Sequence, residues 1–269
     1  MTEFVIVVCN VENMTTLRYF IFCLVFTGSA ARSEVIEHGG VAFHVYQLDP
    51  AKEKLELHLS DKEGEPNTIP KLAEKVKRRG RDLKFAMNAG IFEKNFRPSG
   101  LHISNGKTVT KLNLKNFVKE SEAQFTPNFF LKPNGVFYLL EDGTAEVTGS
   151  DRYASLTITP VLATQSGPLL VNYEVIHPIF GKDSTSKKFR NGVGVAKKGN
   201  VVFVCSVLDQ KLGLTNFHNF ATLFRDKLDC PDALYLDGVI SDIFIKGETP
   251  PIRETNWFAG ILAITEPAP

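Results

Sequence analysis

The sequence predicts a single α+β domain in which strands in mixed sheets dominate and a few helices pack against them. Short segments that alternate apolar and polar residues recur, as in GVAFHVYQL (40–48) and LELHLS (55–60). Turn residues separate these segments, and no Gly/Ser linker, repeat or low-complexity tract interrupts them. With 269 residues, 43% of them hydrophobic, the chain can bury the core of one large domain.

The elements of the first half follow from local patterns. A helix is predicted over 69–80, where Asn67-Thr68 precedes its first turn and Gly80 ends it. The strand that follows, LKFAMN, is predicted to end at Asn88. A hairpin is predicted over 100–112, where Asn105-Gly106 forms the turn and His102 points out of its strand. A second hairpin is predicted over 128–140, around Pro133-Asn134-Gly135.

The second half is predicted in the same way. VGVAKKGNVVFVCSV (193–207) predicts a third hairpin, which turns at 198–200. From Thr215, apolar residues recur at helical spacing as far as Leu228, and Thr215 or Asn216 can cap this helix. WFAGILAIT (257–265) then predicts the last strand.

The N-terminal region is typical of an export signal. Residues 17–28 read LRYFIFCLVFTG, a cation followed by an apolar run, and the small residues of SAARS follow. We expect a leader over residues 1–31, with translation starting at Met14 and cleavage near Ala30 or Ala31, and a mature domain over 32–269. The run is shorter than the roughly 20 residues of a membrane span. The predicted location is periplasmic or secreted, and an uncleaved anchor is the alternative.

Composition excludes several classes of function. The 31 basic and 30 acidic residues nearly cancel, so charge does not favour a nucleic-acid partner. The sequence contains no GxxxxGK[ST] or GxGxxG loop, and its six histidines form no HExxH pair. We therefore expect no cofactor and no bound metal. Cys205 and Cys230 are expected to be separate reduced thiols.

Four short stretches place a polar residue and a glycine beside an apolar strand. They are AMNAGIF (86–92), ATQSGPLLV (163–171), FRNGVGV (189–195) and LYLDGVISD (234–242). Glycine allows a sharp turn or close ligand approach, and a strand end fixes its side chains. Taken singly, each stretch is also ordinary turn chemistry.

In this order, the four stretches resemble the phosphodiester glycosidase domain family, over about residues 40–265. The family pattern contains Asn-Gly-Gly-Phe-Phe, a Gly-Pro strand, an Arg before a glycine-bearing strand, and Leu-Asp-Gly-Gly-Gly-Ser. Those places are taken here by Asn88–Phe92, Gly167-Pro168, Arg190 with Gly194, and Leu236-Asp237-Gly238 with Ser241. The chain is most similar to an exported bacterial branch. Ala89 and Val239-Ile240 replace glycines, so the family's sugar is not carried over to this chain.

The resemblance implies hydrolysis of a sugar-1-phosphodiester, similar to an N-acetylglucosamine-1-phosphodiester, in envelope or exopolysaccharide material. Asp237 is the predicted nucleophile or base at the anomeric carbon, and Arg190 the predicted cation for the leaving phosphate. Phosphate is a weakly basic leaving group, so a strong general acid is dispensable. The remaining candidates are polar or backbone groups around the substrate: Asn88, Gly90, Gln165, Ser166, Gly167, Asn191, Gly238 and Ser241, with Glu93, Asp242 and His177 as secondary candidates.

Other interpretations stay open at this point. Asp237 can be a turn residue, Arg190 a surface arginine after two lysines, and His177 a structural histidine between hydrophobic residues. A noncatalytic glycan-binding or envelope-assembly protein would keep the cleft without turnover. A metal-assisted phosphodiesterase would use Asp237 and Asp242 as ligands.

Overall fold

The computed structural model describes residues 31–60, 67–121, 124–238, 240–249 and 256–269. Residues 1–30 of the predicted leader, with its start at Met14 and the cleavage position at Ala30, lie outside these residues, as does Val239. Ala31, the alternative cleavage position, is the first residue described. Within the described ranges, no helix is both long and apolar enough to cross a membrane.

The largest sheet has seven strands, and each neighbouring pair is antiparallel. One of its interior strands, VVFVCS, is buried along its whole length, which explains why it is almost entirely apolar. In spatial order the strands are β1 (Ala31–His38), β2 (Val41–Leu48), β13 (Val201–Ser206), β12 (Asn191–Val195), β14 (Asp232–Tyr235), β10 (Leu169–Asn172) and β11 (Val175–Ile176).

The second sheet has four antiparallel strands, and its longest pairing joins residues near the end of the chain to the strand that ends at Asn88. In spatial order the strands are β15 (Ile243–Ile245), β4 (Arg81–Asn88), β16 (Gly260–Pro267) and β3 (Leu55–Leu59).

The third sheet has five antiparallel strands and contains the predicted turn at Asn105-Gly106. Both turn residues have positive φ, as a tight hairpin turn requires. In spatial order the strands are β6 (Lys107–Thr110), β5 (His102–Ser104), β9 (Leu162–Ser166), β7 (Gly135–Leu139) and β8 (Ala145–Gly149).

Two helices begin where the sequence predicts them. In α1 (Ile69–Lys77) the Thr68 side chain accepts from the Lys71 N–H, and Gly80 follows the helix at φ +71°. A single turn, α2 (Ser150–Tyr153), follows β8. In α3 (Phe217–Thr222) the Asn216 side chain caps the helix, which continues as a π-helical turn over Leu223–Lys227.

Aromatic rings from all three sheets meet in the core. Phe85 of β4 stacks on Phe203 of β13 with ring centroids 5.0 Å apart, and Phe203 meets Phe137 of β7 edge-on at 6.1 Å. All three side chains are fully buried. Truncation of such a ring to alanine typically costs about 3–5 kcal/mol. The three sheets are therefore packed as one body, which confirms the predicted single α+β domain. Every strand pairing among the described residues is antiparallel, whereas the sequence predicted mixed sheets.

Two local predictions are wrong. Residues 128–130 form a 3₁₀ turn, and β7 pairs with β8 and β9, so 128–140 is not a hairpin. His102 is 1% exposed because β5 is covered on both faces, and Gly260 approaches its ring. The hairpin over 193–207 and the last strand are confirmed.

Candidate functional site

The ends of strands from all three sheets meet at one place. Asn88 is the last residue of β4, Ser166 is the last of β9, and Asn191 is the first of β12. Asp237 lies just beyond the end of β14. Hydrogen bonds link these residues directly or through the backbone, so the sheets hold the predicted polar residues together.

Asn88 bridges two segments of the chain after β14. Its Nδ2 donates to the Asp237 carbonyl at 3.0 Å, and its Oδ1 accepts from the Asp242 N–H at 3.0 Å. The same Oδ1 accepts from Asn191 Nδ2 at 2.8 Å. Asn88 is 1% exposed, so this amide is a fixed part of the floor of the site.

Asn191 holds the Asp237 turn from the other side. Its Oδ1 accepts from the Asp237 N–H at 2.8 Å, and its carbonyl accepts from the Leu236 N–H at 3.1 Å. Asn191 is fully buried. The backbone on both sides of the Asp237 side chain is thus clamped by buried amides, a preorganised arrangement.

The Asp237 carboxyl lies at a partly buried position above this clamp. Burial raises the pKa of Asp237 from 3.8 to about 7. A carboxyl with a pKa near neutrality exchanges protons readily at physiological pH, as a general base or acid must. This environment is the feature that most clearly separates Asp237 from an ordinary turn aspartate.

Ser166 connects the third sheet to the same turn. Its Oγ donates to the Leu236 carbonyl at 2.7 Å and accepts from the Ile91 N–H at 3.2 Å. A Cβ on Gly90 would lie 2.5 Å from the Gln165 carbonyl, so the loop after β4 can pass here only as glycine. Gly167 is similarly tight, because its Cβ would lie 2.6 Å from that of Asn134.

Gln165 is placed beneath the site rather than in the Asp237 network. Its Oε1 accepts from the N–H groups of Leu101 and Asn113, and its Nε2 donates to the Asn113 carbonyl and to Ser150 Oγ. These contacts fasten the segment after β6 to β9. Its role in binding substrate stays a prediction.

Arg190 is a buried arginine, so the surface interpretation is wrong. It is 2% exposed, and its guanidinium lies 3.5 Å from the centroid of the Phe217 ring. Nε donates to the Thr215 carbonyl at 3.0 Å and Nη2 to the Ser186 carbonyl at 3.1 Å. Burial lowers the pKa of Arg190 to about 10, which leaves the group charged at neutral pH.

Tyr235 was missed by the sequence analysis, and it connects Arg190 to the Asp237 turn. Its hydroxyl accepts from the Gly238 N–H at 2.6 Å, and the centroid of its ring lies 5.8 Å from the Arg190 guanidinium. Burial, followed by the charge of Asp237, raises the pKa of Tyr235 to about 12. The signal was present in LYLDG, where a tyrosine in a buried strand needs a partner for its hydroxyl.

Gly238 also fits tightly at this turn. A Cβ there would lie 2.5 Å from the Phe189 carbonyl and 2.7 Å from Arg190 Cα. Ser241 Oγ donates to the Gly238 carbonyl at 2.6 Å, which closes the turn. Asp242 is 5% exposed, and its charge adds to burial in raising the pKa of the Cys205 thiol.

The other two secondary candidates lie away from the clamp. Glu93 is exposed on the loop after β4, where its Oε1 accepts from Ser99 Oγ at 2.8 Å. His177 has both ring nitrogens in use, since Nε2 donates to the Lys132 carbonyl at 2.9 Å and Nδ1 accepts from the Ile179 N–H. This contact pattern favours the structural interpretation of His177, and burial lowers its pKa.

Two further expectations concern cysteines and metals. Cys205 and Cys230 are both free and buried, as predicted. In the part of the chain that the structure describes, no three His, Cys, Asp or Glu side chains are grouped as metal ligands would be.

Comparison with known proteins identifies the family to which this chain belongs. The family model of phosphodiester glycosidases matches residues 81–258, which include the whole Asn88–Asn191–Asp237 clamp. The chain belongs to the phosphodiester glycosidase family. It is 36% identical to uncharacterized protein YigE of Escherichia coli (strain K12) over 207 residues, which cover 77% of this chain and 75% of that protein.

Solved structures share the fold at low sequence identity. One is the catalytic domain of zebrafish N-acetylglucosamine-1-phosphodiester alpha-N-acetylglucosaminidase, auto-inhibited by its pro-peptide, with a TM-score of 0.63 and 15% identity. That match covers 89% of this chain and 84% of the zebrafish chain. A hypothetical protein from Synechocystis matches with a TM-score of 0.52 and 13% identity, over 87% of this chain and 61% of its own.

Proposed function

We propose that this protein is a hydrolase of sugar-1-phosphodiesters and that Asp237 is its reacting carboxylate. The observation that carries the proposal is the Asp237 turn, which is clamped by Asn88 and Asn191 while burial brings the carboxyl pKa to about 7. Membership of a glycosidase family supports the reaction class. The natural sugar and the envelope or exopolysaccharide origin of the substrate are further parts of the proposal.

The reaction breaks the bond between the anomeric carbon and the phosphodiester oxygen. That electron pair leaves with the phosphate, and water supplies the new C–O bond and one proton. Asp237 either removes a proton from the attacking water or attacks the anomeric carbon and is released by water. Both courses require the ionised carboxylate. The weakly basic phosphate departs without a strong acid.

The neighbouring residues have distinct roles in this proposal. Asn88 and Asn191 hold the backbone of Asp237 in place, which limits the reorganisation needed during reaction. The Arg190 guanidinium lies beside the ring of Tyr235, whose hydroxyl accepts from the Gly238 N–H of the turn. We assign Arg190 two contributions: a positive charge that favours the anionic substrate and a rigid support for Gly238.

A direct assay tests the reaction. The full chain is incubated with the methyl phosphodiester of N-acetylglucosamine 1-phosphate, and release of the free sugar is measured with and without EDTA. Asp237→Asn should lower kcat by about 10³-fold or more, because the carboxylate is lost while the amide keeps the shape. Asp183→Asn, on an exposed segment, is the matched control.

Three outcomes would contradict the proposal. Equal rates for Asp237→Asn and the native protein would remove Asp237 from the reaction. Loss of activity in EDTA would favour metal-assisted phosphodiester hydrolysis. Glycan binding without turnover on a panel of sugar phosphodiesters, unchanged in Asp237→Asn, would favour a noncatalytic binding protein.

We also propose export to the periplasm or the medium, with removal of the leader. The motivation is the apolar run and small residues of 17–32. N-terminal sequencing of the protein from a secreted or periplasmic fraction should begin near Ala31 or Arg32. A chain that retains residues 1–30 would exclude cleavage.

A further inference from the structure

Residues 107–119 form a surface segment whose only charged side chains are positive. Four exposed lysines recur there at every fourth position: Lys107, Lys111, Lys115 and Lys119. No Asp or Glu occurs between Glu93 and Glu120. The whole chain has 31 basic and 30 acidic residues, so the segment departs from the overall balance of charge. We call residues 107–119 the basic strip.

Apolar side chains lie exposed among these lysines. Val109 is 55% exposed and Val118 is 81% exposed. Just beyond the basic strip, Phe125 is 91% exposed, and the side chain of Gln124 before it accepts from the Glu120 N–H at 2.8 Å. Single exposed apolar residues are ordinary, but several in one short segment indicate an interaction surface, because they contribute little to the core.

The basic strip is fastened to the body of the protein from behind. The Asn113 N–H donates to Gln165 Oε1 at 2.9 Å, and Asn113 Nδ2 donates to the Ser99 carbonyl at 2.8 Å. The ring of Phe117 packs on that of Phe130, with centroids 5.6 Å apart. These contacts hold the backbone of the strip in place while its lysines and its exposed apolar side chains remain in contact with solvent.

Protection of a sheet edge explains only part of the basic strip. Its first residues form β6 (Lys107–Thr110), an edge strand of the third sheet, and lysine on such a strand discourages pairing with other chains. Lys115 and Lys119, however, follow in a segment that forms no strand. An exposed Val118 between them would promote association rather than prevent it.

The combination of lysines with exposed apolar side chains fits the surface of an anionic membrane. Lysine ammonium groups are attracted to anionic headgroups, and apolar side chains between them can enter the boundary between headgroups and acyl chains. A soluble polyanion would pair with the lysines but would leave Val118 and Phe125 in water. A bilayer surface satisfies both kinds of side chain.

We propose that the basic strip docks the protein peripherally on a membrane that contains anionic lipids. This interaction goes beyond the proposed reaction and does not depend on it. Asn113 of the strip is bonded to Gln165, and the next residue, Ser166, donates to the Leu236 carbonyl. A protein docked through the strip therefore keeps the Asp237 turn near the lipid surface.

A tryptophan placed beside the basic strip tests the docking, because Trp257 is the single tryptophan of the chain. In the full-length protein with Trp257→Phe and Phe125→Trp, emission reports on position 125 alone. This reporter is titrated with vesicles of phosphatidylcholine, with and without phosphatidylglycerol, whose brominated acyl chains quench fluorescence on contact. We expect quenching only by the vesicles that contain phosphatidylglycerol, and less of it at high salt.

A second reporter controls for the position of the ring. Ile179→Trp, in the same Trp257→Phe background, places a tryptophan at a site that is 62% exposed elsewhere on the protein. We expect no quenching of this control. The apolar run of residues 17–28 contains no tryptophan, so adsorption through that run alone would leave the emission of the Phe125→Trp reporter unquenched.

Lysine variants of the Phe125→Trp reporter test the role of charge. Lys111→Gln combined with Lys115→Gln should weaken binding to the phosphatidylglycerol vesicles about 30-fold, since each lysine near an anionic surface contributes a factor of about 5. Lys187→Gln combined with Lys188→Gln removes the same charge from another exposed segment and should change the affinity less than about 2-fold.

A valine variant of the same reporter tests the apolar contribution. Val118→Asn should weaken binding about 5-fold, because the side chain no longer enters the apolar boundary. Val175→Asn, at a position 65% exposed elsewhere, is the matched control and should bind as the parent does.

Several outcomes would overturn the inference. They include equal quenching of the two reporters, equal binding to both vesicle compositions, and an affinity that the Lys111 and Lys115 substitutions leave unchanged. Binding of dextran sulfate with the same dependence on lysine, without quenching by vesicles, would instead assign the strip to a soluble polyanion. A dimer in sedimentation that Val118→Asn dissociates, also without quenching, would assign it to a second copy of the chain.

Discussion

The side-chain oxygen of Asn191 accepts a hydrogen bond from the backbone N–H of Asp237 at 2.8 Å, across 46 residues of sequence. Asn191 begins one strand of the largest sheet, and Asp237 follows the neighbouring strand. The bond therefore fixes a carboxylate-bearing turn to the adjacent strand of the same sheet.

Asn191→Ala should weaken both the fold and the proposed activity. The change removes the acceptor for the Asp237 N–H and the donor to Asn88, and it leaves buried polar groups without partners. We expect the free energy of unfolding to fall by about 2–3 kcal/mol in urea titrations. Asn116→Ala, on an exposed segment, is the control. A stability equal to that of the control would show that the clamp is dispensable.

The pH dependence of activity should follow the ionisation of the Asp237 carboxyl. Burial raises its pKa to about 7, and both proposed courses need the ionised form. The rate should therefore rise as pH passes through about 7 and then level off. The measurement is kcat/KM against pH for the methyl phosphodiester. A rate that falls through this range would make Asp237 a general acid.

The raised pKa of Asp237 also predicts how the stability of the protein depends on pH. The carboxyl of Asp237 has a pKa of 3.8 in the unfolded chain and about 7 in the folded protein. Between these two pH values, folded Asp237 holds a proton that the unfolded chain has lost. The native protein therefore loses stability as pH rises across this window, by at most about 4 kcal/mol, and Asp237→Asn does not. The difference in unfolding free energy between variant and native protein should increase from about pH 4 to about pH 7. A constant difference would contradict the shifted pKa.

Arg190→Lys should be a severe change although charge is kept. Lysine cannot reproduce the planar contact with Phe217 or the separate bonds to two backbone carbonyls. We expect a loss of about 2–3 kcal/mol of stability and a lower kcat, with little change for Arg225→Lys at the surface. If Arg190→Lys keeps full stability and raises only KM, Arg190 acts solely on the substrate phosphate.

Gly238→Ala tests the tight turn beside the carboxylate. The added Cβ would lie 2.5 Å from the Phe189 carbonyl, so backbone must move. We expect about 1–3 kcal/mol of destabilisation, measured by thermal or urea unfolding, and a loss of activity. Gly181→Ala is the matched control, because nothing lies within 4 Å of its Cβ position. Equal stability of the two variants would disprove the close approach at Gly238.

Local sequence patterns predicted most strands and the site residues at strand ends. The features that depend on contacts between distant parts of the chain could not be predicted in this way. Asn88 and Asp237 were recognisable because each follows an apolar run, which places it at a strand end. Arg190 was ambiguous, since Lys187 and Lys188 before it are typical of a surface and only the packing of Phe217 shows burial. No local pattern joins Phe96 to Trp257, which are far apart in sequence and meet only in the folded chain.

The bond between Asn88 Nδ2 and the Asp237 carbonyl spans 149 residues of sequence, and the bond to the Asp242 N–H spans 154. Contacts of such separation can form only when the long stretch of chain between their partners has been brought together. A nascent chain that has emerged only as far as residue 230 contains Asn88 and Asn191 but no Asp237. The clamp can therefore close only after residues 237–242 have been made, so a shorter nascent chain holds no assembled site.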